Sequence, residues 1–314
     1  METLGALQRR IERTKDLHSV VKSMKALAAA SIRQYEHAAD AVGEWGQAID
    51  LALQVALRNS DAKLKEVLTP LGRETAAIVI GSDQGMCGQF NDDIASLAIE
   101  KLARDAESTA GNPKAGDSVG GPADTDDSDD TRPRILAIGE RVAARLQDAG
   151  LRVSRRVDVP PQAEGIARQA GEALVQAERW RSEHAIQRIR LFHNRRLSAS
   201  RYRPEETTLW PLDLSHLRHL VNRPWHSRSL PIARMNRDRL LAGLIRQYLF
   251  VTMFRALAES AASEQASRLT SMQAAEQDIE DRLDDLTQQH NQQRQQAITG
   301  ELLDLVSGRV VLED

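Results

Sequence analysis

From Thr3 to about Arg58 the chain has no proline, and steps of four and three pick out one stripe: Leu7, Ile11, Thr14, His18, Val21, Lys25, Ala28, Ile32, Tyr35, Ala39, Val42, Gly46, Ile49, Leu53 and Ala56. Only Thr14, His18, Lys25 and Gly46 break its apolar character. A heptad stripe of that length predicts a helix that pairs with another helix. A second proline-free stretch follows Pro231 and carries Leu269, Met272, Ile279, Leu283 and Leu286, continued by Ala297, Leu302 and Val306. As one helix from Asn236 to Val306 it would be roughly 105 Å long at 1.5 Å per residue. A compact protein of this size is only about 50 Å across. Such a helix needs a partner to cover its stripe. The two ends of the chain are therefore predicted to pair antiparallel, as shaft helices over 1–60 and 236–308.

The pattern between them is different. ETAAIVIGSD (74–83), RILAIG (134–139) and IRLFHNRR (189–196) are short β-branched runs, and helical stretches lie between them. FNDDIASLAIEKLARDA starts the first of these with Asn91 as its expected N-cap, ERVAARLQDAG ends at Gly150, and a third lies near Gln162–Arg181. Strand alternating with helix predicts an inserted α/β, Rossmann-like domain over 70–215 with a partly parallel sheet. Residues 108–133 are rich in Gly, Pro, Ser and Asp and almost free of apolar side chains, so a disordered acidic surface loop is expected there. The proline-bearing stretch 197–231 reads as an irregular connector.

Composition narrows the function. Of 314 residues, 41% are hydrophobic and only 4% aromatic, which suits long helices better than one deep core. A net charge of -3 gives no reason to expect nucleic acid as a partner. The apolar window 240–262 carries Arg246, Arg255 and Glu259, so direct membrane insertion is not expected. A lone Cys87 and a charged N-terminal stretch favour a cytoplasmic setting.

Candidate chemistry is sparse. The loop GSDQGMCGQFN (81–91) joins a strand to a helix, where phosphate loops also sit, but its glycines match neither dinucleotide nor P-loop spacing. The histidines show no metal-ligand spacing, and DIEDRLDDL (278–286) reads as a solvated helix face. No catalytic residue, cofactor or metal is expected. VVKSMKALAAASIRQ (20–34) combines small residues with Lys22, Lys25 and Arg33, a face that another surface could approach closely.

Three segments carry a resemblance. KSMKALAAASIR (22–33), GSDQGMCGQFN (81–91), and LAESAASEQASRLTSMQAAEQ (257–277) followed by RQQAITGELLDLVSG (294–308) resemble, in order, the signatures of the F-type ATP synthase gamma-subunit family. The resemblance implies a rotating central shaft inside a hexamer of alpha and beta subunits, coupling ion flow to ATP synthesis or hydrolysis. It also implies contacts with an epsilon subunit and a membrane ring of c subunits, at the cytoplasmic face of the cell membrane. By position, it places Met24, Lys25 and Arg33 on the shaft, Ser82, Asp83, Gln84 and Cys87 at a collar, and Arg294, Gln295, Thr299 and Glu301 against beta-subunit loops.

Gln84 stands where that family usually has arginine, and Gln89 where it has glycine. Together with the long acidic loop, these departures suggest a divergent, second-copy (N-type) ATPase, with proton or sodium as the coupling ion. Two other readings remain on the residues alone. One is a nucleotide-binding α/β enzyme with a coiled-coil arm, the other a coiled-coil adaptor that pairs with itself.

Overall fold

The computed structural model describes residues 3–58, 74–110, 133–184, 186, 188–198, 201–225, 228, 229, 231 and 235–312. The predicted acidic loop falls almost wholly outside these residues. The chain divides into two compact units, one of residues 30–267 and one of residues 1–29 with 268–314.

The larger unit is built on a five-stranded sheet. Its strands are β1 (Thr75–Ile80), β2 (Arg134–Ile138), β3 (Val153–Val157), β4 (Arg188–Arg196) and β5 (Tyr202–Trp210), in the spatial order β3-β2-β1-β4-β5. The first four run parallel and β5 is antiparallel to β4. The helices are α1 (Leu4–Leu57), α2 (Phe90–Ala110), α3 (Glu140–Asp148), α4 (Ile166–Glu183), α5 (Leu214–Asn222) and α6 (Arg237–Leu312).

Strand alternation divides the core in two. Ala77, Val79, Ile135 and Ala137 point to the side of α2 and α3, where Ile94, Ala98, Val142 and Leu146 meet them. Ala76, Ile78, Ile80, Leu136 and Ile138 point the other way, into a core shared with α4, α5, Val42, Ile49 and Leu53 of α1, and Val251, Met253 and Leu257 of α6. With both faces covered, the central strands read as continuous apolar runs, which is why β1, β2 and β4 were predictable. The apolar window 240–262 is part of this core, with Met253, Ala256, Leu257 and Ala258 all buried.

The two edge strands were not predicted. In β3, VSRRV, the three central residues are exposed, the charged edge that keeps other strands from pairing there. In β5, Pro204 sits opposite Asn194 of β4 on the outermost strand, where a missing N–H costs no ladder bond. The stretch 197–231, expected to be irregular, thus holds β5 and α5. Asn91, expected to cap α2, lies inside that helix, and its side chain serves the preceding loop instead.

In the smaller unit, the first part of α1 and the last part of α6 run antiparallel. Leu7 and Ile11 pack on Leu283 and Leu286, while His18 and Lys25 lie against Glu276. Every residue of the predicted N-terminal stripe is buried or partly buried across the two units, including Thr14, His18, Lys25 and Gly46. Among the described side chains of the second stripe, Leu286 is the last that is covered. Beyond it, Ala297 and Leu302 are exposed.

Candidate functional site

The loop 81–91 leaves β1 at the carboxyl end of the sheet, beside β4, the place where parallel sheets open a crevice for ligands. Here the crevice is closed by the loop's own bonding. The amide of Gly81 donates to the Ile138 carbonyl, and that of Ser82 to Asn91 Oδ1 at 2.9 Å. Asn91 Nδ2 donates to Ser82 Oγ at 2.8 Å, and Ser82 Oγ to the Gln84 carbonyl at 2.8 Å. Asp83 reaches across to the neighbouring turns, its carboxylate accepting from the Glu140 amide at 2.9 Å and the Val159 amide at 2.7 Å. It is the N-terminal cap that α3 lacks locally, since Gly139 has no side chain to offer.

Two glycines allow this packing. A Cβ on Gly81 would lie 2.4 Å from Val142 Cβ, and Gly139, at φ 115°, passes within 3 Å of the Ser82 backbone at a hypothetical Cβ. The amides of Gly81, Ser82 and Phe90, at the two ends of the loop, are thus committed within the protein. The loop is also held from outside. Ser267 donates to the Cys87 carbonyl at 2.7 Å, Ser263 to the Asn194 carbonyl at 3.1 Å, and Asn194 Nδ2 to the Phe90 carbonyl at 2.9 Å. Tyr202 donates to Asp93 Oδ2 at 2.9 Å and stacks edge-on with Phe90. Burial and that bond to Asp93 push the Tyr202 hydroxyl far above its ordinary value, so it stays a donor.

Ser82 and Cys87 are therefore buried, Asp83 is partly buried, and Gln84 alone of the four predicted collar residues is exposed. Met86, at φ 60°, is 57% exposed beside it.

The predicted shaft residues fall in different places. Met24 and Lys25 are half-buried on α1, and Lys25 Nζ bonds Glu276 Oε2 of α6, which holds the Glu276 carboxyl below its ordinary pKa. Arg33 is exposed at the rim of a cavity that also includes Glu36 and Arg196. Arg294, Gln295, Thr299 and Glu301 share one exposed segment of α6, with the Thr299 hydroxyl donating to the Gln295 carbonyl at 2.9 Å. Arg294 is 18 residues beyond Glu276, about 27 Å along the helix, so these four are not brought to Lys25. Sequence reasoning missed Glu276, Asn194, Ser263 and Ser267, and gave Asn91 a capping role in place of its bonds to Ser82. Ser263, Ser267 and Glu276 lie in the 257–277 segment that carries the resemblance, which did not single out any of them.

A cavity of about 620 Å³ lies between α1, β4, β5 and α6 in the larger unit. Both arginines lining it are engaged by carboxylates, Arg195 with Glu205 at 3.4 Å and Arg255 with Glu259 at 2.7 Å. Burial raises the Glu259 carboxyl, but hydrogen bonds from His193 and Arg255 outweigh that and leave its pKa low. The lining suits a buried charge network better than a phosphate ligand.

A family model described as ATP synthase matches residues 3–312. An ATP synthase gamma chain from Desulforamulus reducens is 27% identical over 325 residues, covering 100% of both chains. One from a Synechococcus species is 26% identical over 345 residues, covering 99% of this chain and 100% of the relative. Among solved structures, a chain of the Euglena gracilis mitochondrial ATP synthase (OSCP, F1 and c-ring) aligns with a TM-score of 0.59 at 14% identity, over 98% of this chain and 94% of that one. A chain of the Tetrahymena thermophila central stalk and c-ring aligns with a TM-score of 0.51 at 18% identity, over 82% of this chain and 99% of that one. At those identities the structural likeness speaks to the fold.

Proposed function

The chain belongs to the ATP synthase family, and from that membership we propose that it works as the gamma chain, the rotating central stalk of an F-type ATP synthase. One observation supports this most: a stretch of α6, from Arg294 to Leu303, is covered by no other described residue. Every residue from Arg294 to Leu303 is exposed, including Ile298 at 47%, Leu302 at 57% and Leu303 at 64%. A helix with uncovered apolar positions calls for other subunits around it. An alpha–beta hexamer supplies such a bearing, with Arg294, Gln295, Thr299 and Glu301 as its polar contacts.

In this reading the shaft is formed by 1–60 and 236–308, and the domain at 70–215 meets an epsilon subunit and the ring of c subunits. The complex is membrane-associated, and we place this chain on the cytoplasmic face. Met24, Lys25 and Arg33 act on the shaft. At the collar Gln84 makes the contact, while Ser82, Asp83 and Cys87 set the loop's shape. Coupling requires each shaft angle to bind the hexamer's conformations unequally, since equal binding shifts no population. The chain itself performs no bond chemistry, and the ring selects the coupling ion, proton or sodium.

Co-expression with its own alpha and beta subunits tests this. One copy should co-purify per hexamer, a cysteine placed at Gln295 should cross-link to beta, and ending the chain at Leu286 should abolish rotation. A stable homodimer that ignores alpha and beta would instead establish the self-pairing adaptor.

A further inference from the structure

Unit for unit, the smaller helix pair contains the one cluster among the described residues with metal-ligand geometry. His18 on α1 faces Glu276 and Glu280, which stand one turn apart on α6. His18 Nε2 lies 3.4 Å from Glu280 Oε1 and 3.9 Å from Glu276 Oε1, and one ligand atom from each residue fits within 4.8 Å of the others. The 3.4 Å separation is that of atoms sharing one small cation, since ligands at about 2.0–2.2 Å from a tetrahedral centre are roughly 3.3–3.6 Å apart; the Glu276 oxygen, at 3.9 Å, needs a small side-chain rotation to join them. Both separations are long for hydrogen bonds, and His18 Nε2 is shielded from solvent without a hydrogen-bond partner.

The surroundings fix the donors. Glu276 uses its other oxygen, Oε2, for Lys25, so its carboxylate is oriented with Oε1 toward His18. Such an outer bond to a ligating carboxylate is a recurrent feature of metal sites. The Glu276 side chain is 15% exposed and that of His18 26%, while Glu280 at 51% leaves a route for entry and a side open to water.

We propose that His18, Glu276 and Glu280 form a zinc site that clips α1 to α6 across their seam. The donor set selects the metal. An imidazole nitrogen with two carboxylates suits zinc, whereas magnesium and calcium prefer six or more oxygens. Two carboxylates offset most of the charge of a divalent ion, Lys25 adding one positive charge beside Glu276, and water completes the tetrahedron. This goes beyond the rotor reading and does not depend on it, because the cluster lies within one chain.

Zinc titration of the full-length chain against a chromophoric chelator tests the proposal, together with X-ray absorption at the zinc edge. One zinc per chain is expected, with one nitrogen and two carboxylate oxygens of the protein at about 2.0–2.2 Å. Glu280→Gln, at an exposed position, should weaken binding at least tenfold, and so should His18→Asn, with the circular dichroism of both variants unchanged. An equal concentration of magnesium should not displace the ion. Zinc binding that is unchanged in both variants, or that magnesium displaces at parity, overturns the site.

Discussion

The two units of this chain are held together in opposite ways. In the larger one, Ile78, Val79, Ile135, Leu191 and Phe192 have no exposure at all, and polar groups at the sheet's end are bonded to one another. In the smaller one, the apolar cluster is Leu7, Ile11 and Leu286 with Leu283 beside them, and the next level of the seam is polar, His18 and Lys25 against Glu276. A sheet covered on both faces builds its own dry core, but two helices bury one stripe each and leave the rest to solvent or to partners. The first unit carries its own stability. The second depends on what surrounds it.

The largest test of that contrast is Leu191→Ala in the sheet unit. It should lower global stability by about 2–5 kcal/mol, seen as an earlier urea midpoint, because packed neighbours cannot collapse into the gap. Leu286→Ala should cost about 2 kcal/mol, at the low end of that range, since a helix pair can close over the space. Its effect should be confined to hydrogen exchange near residues 4–29. If both variants melt the whole chain together, the contrast between the units is wrong.

Asp83→Ala leaves the amides of Glu140 and Val159 without their acceptor and should cost about 1–3 kcal/mol, with exchange rising at the start of α3. Asp50 tests the cavity in the larger unit. Burial raises its carboxyl pKa, and His216 and Arg223 offset this only in part. A raised acid favours the folded state below about pH 4 and loses that advantage as pH rises. Asp50→Asn should therefore raise the Tm at pH 7 and leave it unchanged at pH 3. Ala29→Leu should have the smallest effect on stability, because Ala29 is exposed where Ala28 is buried. It should nonetheless reduce coupled ATP turnover in the assembled complex, where a smooth shaft face matters.

Much of the architecture was legible in the chain. The heptad stripe from Leu7 to Ala56 marked the inner face of α1, polar exceptions included, because a helix repeats its faces at a fixed interval whatever it packs on. The central strands were legible because burial on both sides leaves no alternation to confuse. The edge strands were not. Three exposed residues in β3 and a proline in β5 are allowed only by their places at the rim, and nothing local states that a strand will be last in a sheet.

The candidate sites divide in the same manner. The segments 22–33, 81–91 and 294–308 could be picked out by resemblance, and the exposed run Arg294–Glu301 lies in a single helix that local pattern predicts. Whether a side chain in those segments faces outward is a different matter. Ser82 and Cys87 turn inward because Asn91, and Ser267 from far along the chain, bond to their loop.

By itself, then, the sequence determined two long helices with a matching stripe, an α/β insertion, and a family. Periodicity and motif are local properties that need no knowledge of distant neighbours. Only the tertiary structure decided that Leu286 is covered where Ala297 and Leu302 of the same stripe are exposed, and that His18 meets two glutamates from the opposite end of the chain. Both depend on the register in which two remote helices pair, and that register is set by the summed packing of the seam instead of by any one segment.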